Sequence, residues 1–317
     1  MIVTVTMNAA LDRSLAVPNF QLGMRHRAST GFTQAGGKGI NVARSLKRLD
    51  VPVVASGLAG GRTGTHIVEE LTNEGILNDF VRIGDESRTS IQVIDPTGGS
   101  MTEIFEWGPH VSEDELSTLL EKIAYLARAA DLVAFCGSLP RGVDPGFYGE
   151  AMRELQRRRV RSVLDTEGEP LRRGVEAEPW LVSPNQREAE SLVGQEFHDD
   201  EDFLMALDAI AELGARNVLI GHETGAFLLV REERRTQRYR ASIPPLEPLA
   251  TSGAGDAMLA GYLASRMAEN SPEEALRAAV ATGAAATLEM GGGRFDAREA
   301  SRLGAAVAIG LAEPVAS

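Results

Sequence analysis

The segment TSGAGDAMLAGYL, residues 251–263, places a glycine-rich turn directly before an apolar stretch of helical length. The first amides of a helix lack intrahelical acceptors, and the helix dipole favours negative charge there. Glycine also lets an anion approach the backbone closely. The segment therefore predicts an anion site at the N-terminus of a helix. Asp256 follows the two glycines, and it is either a partner of the helix dipole or a general base beside the bound anion.

The rest of the chain alternates short apolar runs with helical patterns. Continuous apolar runs of this length are typical of parallel strands that are buried on both faces. Two helices begin with a serine three positions before a glutamate, at Ser112–Glu115 and Ser271–Glu274, which is the pattern of a capping box. Strands are predicted at Ile2–Thr6, Val53–Gly57, Leu132–Cys136, Ser162–Asp165, Trp180–Ser183 and Val218–Ile220. The alternation predicts an α/β fold with a doubly wound, mainly parallel sheet and helices on both faces.

Two stretches, residues 13–35 and 88–107, interrupt this alternation and look strand-rich. In the second stretch, Thr89–Asp95 and Met101–Trp107 flank a short segment with two glycines, as in a hairpin. We expect the two stretches to form a small β-sheet that projects from the main domain and covers a ligand as a lid. Because the edges of such a sheet are unpaired, it is also the predicted surface of a homodimer.

The 317 residues carry a formal net charge of −13 and a single cysteine, Cys136. A nucleic-acid-binding protein usually needs a basic surface, so this charge argues against that class. One cysteine permits no disulfide within the chain, which is consistent with a cytoplasmic location. No apolar stretch has the length of a membrane span. We therefore predict one domain, residues 1–317, that binds neither nucleic acid nor membrane and recognises small anions through local cations.

A second glycine-rich segment, AGGKGINVAR at residues 35–44, also opens a predicted helix. Its three glycines are interleaved with Lys38 and Asn41, which indicates a backbone that touches a polar ligand. Neither glycine-rich segment fits the two commonest nucleotide-binding motifs. The dinucleotide fingerprint requires a glycine where Met258 stands, and the P-loop requires a glycine where Phe32 stands, six positions before Lys38. A nicotinamide dehydrogenase is therefore disfavoured.

Together the two glycine-rich segments resemble the signature motifs of the ribokinase/PfkB family of carbohydrate kinases. Four shorter segments resemble the branch of that family that acts on hexose phosphates, the 1-phosphofructokinases and tagatose-6-phosphate kinases. These segments are Asn8–Asp12, Gly137–Pro140, Asp165–Glu169 and Pro184–Glu188. The six motifs stand in the family's order over essentially the whole chain. The resemblance implies a ribokinase-like fold, and phosphoryl transfer from ATP, with Mg²⁺, to a sugar phosphate.

The resemblance also implies the residues of the transfer site. Asp256 would accept the proton of the sugar hydroxyl, and the amides of Gly253, Ala254 and Gly255 would bind the transferring phosphoryl group. Asn185 and Glu188 would act near Mg²⁺, indirectly, although their spacing also fits a helix capping box. The residues expected to bind the nucleotide are Asn185, Glu188, Thr251, Ser252, Gly253, Gly255 and Gly283.

The sugar phosphate is expected to bind to residues of the first half of the chain. Asp12 and Asn41 would hydrogen-bond sugar hydroxyls, although a turn after the first strand is an alternative role for Asp12. The substrate's phosphate needs cations, and any single exposed cation is more often only solvated. The full set of expected substrate-binding residues is Asp12, Gly36, Gly37, Lys38, Asn41, Arg88, Arg27, Ser138 and Arg141.

Some positions depart from the family's pattern. Ala9 stands where proline is usual, Ser183 stands where lysine is common, and the loop at His222 is one residue shorter. These changes are expected to affect the affinity for the nucleotide and the choice of donor more than phosphoryl transfer itself. Two alternatives stay open: a kinase for an unphosphorylated sugar or nucleoside, and a sugar-phosphate-binding regulator without catalysis. Fructose 1-phosphate, fructose 6-phosphate and tagatose 6-phosphate fit the resemblance equally as acceptors.

Overall fold

The computed structural model describes residues 1–232 and 235–312. The strands are β1 (Ile2–Thr6), β2 (Ala10–Ala16), β3 (Thr30–Gly36), β4 (Val53–Gly60), β5 (Leu77–Ile83), β6 (Arg88–Asp95), β7 (Ser100–Phe105), β8 (Leu132–Cys136), β9 (Arg161–Asp165), β10 (Leu181–Val182), β11 (Val218–His222), β12 (Gly225–Glu232), β13 (Arg235–Ser242) and β14 (Ala308–Leu311). The helices are α1 (Lys38–Arg48), α2 (Gly61–Asn73), α3 (Glu113–Leu126), α4 (Phe147–Arg157), α5 (Gly168–Val175), α6 (Gln186–Val193), α7 (Asp200–Glu212), α8 (Ala254–Met267), α9 (Pro272–Ala286) and α10 (Ala297–Gly304).

Ten of these strands form the main sheet, in the order β14-β13-β12-β11-β10-β9-β8-β1-β4-β5. The seven strands from β11 to β5 are parallel, and β12, β13 and β14 add an antiparallel edge. Apolar cores cover both faces, one under α1, α2, α8, α9 and α10 and the other under α3–α7. Burial on both faces explains the continuous apolar runs at β1 and β8. The predicted doubly wound α/β fold is therefore confirmed.

All six predicted strands form; Ile2–Thr6 and Leu132–Cys136 have the predicted ends, and the others are shifted. The strand predicted at Val53–Gly57 continues to Gly60, and the one predicted at Trp180–Ser183 is reduced to Leu181–Val182. Strand ends are set by hydrogen-bond partners in neighbouring strands, which a local pattern does not contain.

The other four strands form a separate small sheet, in the order β3-β2-β6-β7. The predicted hairpin within residues 88–107 is present, with Asp95 of β6 opposite Ser100 of β7. The expectation for residues 13–35 was too broad, because residues 17–29 contain no strand. Pro18 has no amide hydrogen, and Asn19 has a left-handed backbone with φ 56°, so the strand cannot continue there.

Some helix N-termini in this fold are capped by a side chain, and others are not. Helices α3, α6 and α9 begin with complete capping boxes, as the serine–glutamate spacing predicts for α3 and α9. Helices α1 and α8 begin after Gly37 (φ 109°) and Gly253 (φ 81°), and no side chain caps either helix. Among residues 1–232 and 235–312, no helix has both the length and the apolar character that a membrane crossing requires.

Candidate active site

A cleft of about 1100 Å³ lies between the small sheet and the carboxyl ends of the central strands of the main sheet. Thr6, Cys136 and Asp165, at the ends of β1, β8 and β9, line one wall, and Asp12 and Arg88 of the small sheet line the other. Open α/β sheets bind ligands at this edge, because the loops that leave the carboxyl ends of the strands converge there.

Asp256 lies in the first turn of α8 and is 5% exposed. Its Oδ2 accepts a hydrogen bond of 2.8 Å from Nδ2 of Asn41, which α1 contributes. Burial, and then the nearby Asp165 carboxylate, raise the pKa of Asp256 from its ordinary value of 3.8 to about 7, against the opposing effects of Lys38 and Asn41. A buried carboxyl group with a pKa near neutrality can take up a proton and release it again.

Lys38, in the first turn of α1, is held by two carboxylates. Its Nζ donates to Asp165 Oδ1 at 2.7 Å and to Glu188 Oε1 at 2.9 Å. Although burial acts against its charge, Asp165, Glu188 and Asp256 together raise the pKa of Lys38 well above its usual range. The charge of Lys38 is thus balanced within the protein. Its expected contact with the substrate's phosphate stays a prediction, and the pairing argues against it.

The turn before α8 exposes its backbone to the cleft. A Cβ atom on Gly253 would lie 2.7 Å from the Cα of Gly292, so this position accepts only glycine. A Cβ atom on Gly255 would have no atom within 4 Å. The cleft is lined by the predicted Thr251, Ser252, Gly253 and Gly255.

Ala254 differs from the other residues of this turn. It does not line the cleft, and its amide donates to the carbonyl of Thr251 at 3.2 Å. The amide predicted to take part in the anion site is therefore already engaged in a turn.

Asn185 and Glu188 form the capping box of α6 that their spacing allows. Asn185 Oδ1 accepts from the Glu188 amide at 2.9 Å, and Glu188 Oε2 accepts from the Asn185 amide at 2.9 Å. Both residues also line the cleft. Their oxygens are donors of the kind that Mg²⁺ prefers, and no group of three or more histidine, cysteine or acidic side chains among the described residues is arranged to hold a metal. These donors fit a Mg²⁺ ion bound chiefly by nucleotide phosphates and water.

Asp12 and Arg88 lie on the paired strands β2 and β6. Burial raises the pKa of Asp12 to about 6, and the charge of Arg88 acts in the opposite direction. Arg88 Nε donates to the carbonyl of Asn8 at 3.3 Å, and its guanidinium lies 5.9 Å from the centroid of the Phe105 ring. Gly36 does not line the cleft, but a Cβ there would lie 1.8 Å from Asp12 Oδ2. The glycine therefore leaves room for the carboxylate.

The remaining predicted residues divide into those on the cleft and those away from it. Gly37, Ser138 and Arg141 line it, and Arg141 Nε donates to the carbonyl of Gly108 at 3.1 Å. Arg27 is exposed in the segment of residues 17–29 and does not line the cleft. Gly283 is buried within α9 and does not line the cleft, and a Cβ there would lie 3.1 Å from the Cβ of Met258, so the glycine allows α8 and α9 to pack closely. Its expected contact with the nucleotide stays a prediction.

Several polar groups of the cleft were missing from the predicted site. Asp165 binds Lys38, and its motif was the only signal for it in the sequence. Asn8 Nδ2 donates to Ser138 Oγ at 3.1 Å, while Asn8 Oδ1 and Thr6 Oγ1 are buried without a hydrogen-bond partner among residues 1–232 and 235–312. Unpaired buried oxygens on a cleft are suited to hydroxyl groups of a ligand, because leaving them unpaired costs free energy.

The comparisons with known proteins agree with this geometry. The model of the pfkB family of carbohydrate kinases matches residues 3–298. The chain is 32% identical over 289 residues to 1-phosphofructokinase of Borreliella burgdorferi, covering 91% of this chain and 92% of that protein. It is 32% identical over 285 residues to 1-phosphofructokinase of Bacillus subtilis, covering 90% and 92%.

Solved structures give the same result. Phosphofructokinase-2 from Escherichia coli, in complex with substrates and products, superposes with a TM-score of 0.88 at 29% identity, over 96% of this chain and 98% of that one. Arabidopsis thaliana ribokinase, complexed with ribose and ATP, superposes with a TM-score of 0.74 at 23% identity and shows the ribokinase-like fold.

These relatives support a sugar-phosphate kinase, for which ATP is the implied donor. The family match spans nearly all of the described chain, including both glycine turns and the strands that carry the cleft. The chain belongs to the pfkB family of carbohydrate kinases, phosphotransferases that act on a sugar hydroxyl.

Proposed function

We propose that this protein transfers the γ-phosphoryl group of ATP to a hydroxyl of a ketohexose phosphate, with Asp256 as the general base. The observation that carries the proposal is the Asp256 carboxylate, which lies in the first turn of a helix without a side-chain cap and has its pKa raised to about 7. A base of this pKa suits proton transfer at neutral pH, and the helix end beside it suits an anion.

The transfer needs one proton acceptor and one site for negative charge. The sugar oxygen attacks the γ-phosphorus, and its proton passes to the Asp256 carboxylate. The bond from the γ-phosphorus to the bridging oxygen breaks, and ADP leaves with that oxygen and its electron pair. Asn41 holds Oδ2 of Asp256 at 2.8 Å, which leaves the other carboxylate oxygen for the substrate. The backbone of Gly253 and Gly255, at the positive end of the α8 dipole, would stabilise the charge of the phosphoryl group.

The donor would bind along Asn185, Glu188, Thr251 and Ser252, which line the cleft on the side of α8. Bound Mg²⁺ would neutralise charge on the phosphates during transfer. Asn185 and Glu188 would act on the hydrated ion from the first turn of α6, without enclosing it.

The acceptor would lie on the other side, between Asp12, Asn41 and the lid, as we name the small sheet of β2, β3, β6 and β7. Asp12 and the unpaired Oδ1 of Asn8 are suited to sugar hydroxyls. Arg88 is suited to the substrate's phosphate, because its guanidinium can donate two hydrogen bonds to one phosphate and reaches the cleft from β6. Closure of the lid would exclude water, which competes as an acceptor.

The acceptor is tested by ADP release with fructose 1-phosphate, fructose 6-phosphate and tagatose 6-phosphate, and with fructose as the unphosphorylated control. We expect one ketohexose phosphate to exceed fructose in kcat/KM by at least about a hundredfold, since a charged phosphate contact adds a few kcal/mol. Equal rates with fructose would contradict a sugar-phosphate kinase of this kind.

The phosphate contact is tested by Arg88→Ala with Arg141→Ala as the matched control. Arg88→Ala should raise KM for the sugar phosphate by at least about tenfold and KM for ATP much less, because a charged hydrogen bond contributes ~1.5–3 kcal/mol. Equal changes in both constants would remove the assignment of Arg88 to the sugar phosphate. A larger effect of Arg141→Ala would transfer the assignment to Arg141.

A homodimer through the lid is the final part of the proposal. Every residue of β7 is exposed, and Ile104, Phe105 and Trp107 are 55%, 61% and 82% exposed. An unpaired edge strand with large apolar side chains is suited to pairing with a second copy. Sedimentation should show a dimer that Ile104→Glu dissociates, and a monomeric wild-type protein would contradict it. Slower hydrogen exchange in β6 and β7 with bound sugar phosphate would support lid closure.

A further inference from the structure

Arg44 is an arginine of α1 that is only 3% exposed, although no part of the proposed reaction uses it. It lies three residues after Asn41, so the two side chains share a face of the helix. A buried guanidinium is stable only where its donors are paired. Arg44 Nη1 donates to Asn41 Oδ1 at 3.2 Å and to the Gly292 carbonyl at 2.9 Å.

The other donors of Arg44 hold the guanidinium in place. Nε forms an ion pair of 2.7 Å with Glu74, the residue directly after α2, and Nη2 donates to the carbonyl of Ala35 in β3 at 2.8 Å. Four acceptors from four segments therefore fix the plane of the guanidinium. A lysine at this position has one compact ammonium group and cannot reproduce the planar fork.

The amide of Asn41 is fixed from both ends. The guanidinium can only donate, so the atom that faces Arg44 must be the oxygen. The ionised Asp256 carboxylate can only accept, so the atom that faces it must be the nitrogen, and Nδ2 lies 2.8 Å from Oδ2. If the amide turned by half a rotation, its oxygen would oppose the carboxylate and its nitrogen would oppose the guanidinium. Arg44 thus excludes the orientation of Asn41 that would repel the base.

We propose that Arg44 is a positioning residue for the phosphoryl transfer, which fixes the amide of Asn41 so that Asn41 holds the Asp256 carboxylate in its reactive orientation. This inference rests on the proposed role of Asp256 as the base. Arg44 lies behind Asn41 and does not line the cleft, so its effect on the reaction passes through Asn41.

A purely structural role is the competing explanation, because Arg44 also joins α2, β3 and the loop at Gly292. Arg294 offers a matched control for that explanation. Its Nη2 binds Glu74 at 3.0 Å, and its Nε donates to Gln34 of β3 at 3.0 Å. Arg294 belongs to the same loop and joins the same segments, but it does not contact Asn41 in the described structure.

The experiment is a double-mutant cycle of Arg44→Lys and Asn41→Ala, with Arg294→Lys measured in both backgrounds. We expect Arg44→Lys to lower kcat about ten- to a hundredfold, since misplacing a reacting group has effects of this size. KM for ATP should change less than about twofold, because the donor binds away from Arg44. In the Asn41→Ala background, Arg44→Lys should lower kcat less than about twofold, because the residue through which it acts is gone. Arg294→Lys should have the same small effect in both backgrounds.

Two results would overturn the inference. One is an equal loss of kcat from Arg44→Lys with and without Asn41, and the other is an equal loss from Arg294→Lys. If Arg44→Lys does not fold, Glu74→Gln loosens the same guanidinium and should lower kcat about two- to fivefold only when Asn41 is present. An equal loss in both backgrounds would again overturn it. Asp256→Asn separates the two proposals: if it stays active, the base assignment fails, and if it is inactive while the cycle is additive, only the role of Arg44 fails.

Discussion

Helices α8 and α9 pack against each other, yet their N-termini are built in opposite ways. In α9, Ser271 Oγ accepts from the Glu274 amide at 3.2 Å, and Glu274 Oε2 accepts from the Ser271 amide at 3.0 Å. In α8, Gly253 provides no side chain and the helix end opens on the cleft. A side-chain cap stabilises a helix by about 1 kcal/mol, whereas an uncapped end keeps amides for a ligand. The N-terminus of α9 contributes to stability, and the N-terminus of α8 is the one proposed to bind a ligand.

The two helix N-termini differ most at Asp256 in α8, where we expect substitution to have the largest effect on kcat. Asp256→Asn keeps the shape of the side chain but cannot take the proton, so kcat should fall about 10²- to 10⁴-fold. Binding of the sugar phosphate, measured by calorimetry, should change less than about twofold because the contacts remain. A variant that retained more than half of the wild-type kcat would make α8 merely another stable helix end.

The pH dependence tests the same carboxyl group without a mutation. The base acts only when ionised, and with a pKa of about 7 its ionised fraction, and so kcat, should fall about tenfold for each pH unit below 7. A kcat that was constant from pH 5 to 8 would contradict this assignment.

The same raised pKa predicts that the stability of the folded protein decreases as the pH rises, whereas kcat increases. The folded state binds this proton more tightly than the unfolded chain, whose carboxyl has its ordinary pKa of 3.8. The contribution to stability is therefore fully present below pH 3.8 and is lost progressively as the pH rises from there through about 7. Asp256→Asn should accordingly raise Tm more at pH 8 than at pH 5, which thermal unfolding measures. An equal change at both pH values would argue against the raised pKa.

Gly255 offers a smaller change in the uncapped helix end. A Cβ at Gly255 would have no atom of the described residues within 4 Å, so Gly255→Ala should fold. Its Tm should rise slightly, because alanine is more favourable than glycine in a helix by about 0.5–1 kcal/mol. The methyl group would occupy space next to the phosphoryl group, and kcat/KM for ATP should fall about tenfold. Gly253→Ala is the control, and its Tm should decrease because its methyl group would collide with Gly292. An unchanged kcat/KM in Gly255→Ala would place the phosphoryl group elsewhere.

The smallest effect is expected at the capped end. Ser271→Ala removes the cap of α9 and should reduce the free energy of unfolding by about 1 kcal/mol. Its kcat and both KM values should stay within about 1.5-fold of the wild type, because nothing at this end faces the cleft. Denaturant titration and ADP release measure the two quantities. A loss of activity in Ser271→Ala would remove the distinction between the two helix ends.

Features that depend on neighbouring residues could be predicted from the sequence. The run Leu132–Cys136 predicts a strand because both faces of β8 are covered, and Ser271 predicts the start of α9 because its partner is three positions away. The glycine turn at residues 253–255 was recognisable for the same reason. Residues 17–29 were mistaken for strand because composition alone does not reveal where a turn ends a strand.

Features that depend on distant partners could not be predicted. The two carboxylates that bind Lys38 lie 127 and 150 positions away in the sequence, so it looked like a free cation. Gly283 was assigned to the nucleotide from its motif alone, and nothing in the sequence indicated that α9 packs against Met258 at this position. Arg27 carries a charge that suits a phosphate, but the fold leaves it exposed and away from the cleft. Sequence motifs indicate the chemistry, whereas charge balance is set by contacts between the two halves of the chain.

The hydrogen bond between Asn41 and Asp256 has a further consequence for how the protein is made. It joins residues 215 positions apart, and the bond from Arg44 to the Gly292 carbonyl spans 248 positions. A nascent chain emerging from the ribosome can pair β1 with β4 and β8 early, but it lacks Asp256, the proposed base, until more than 250 residues have been synthesised. Contacts between residues that lie so far apart in the sequence must close a long loop, and they therefore form late in folding. Fragments that end before α8 should therefore contain part of the proposed sugar site but have no kinase activity. Activity should appear only when α8 packs against α1.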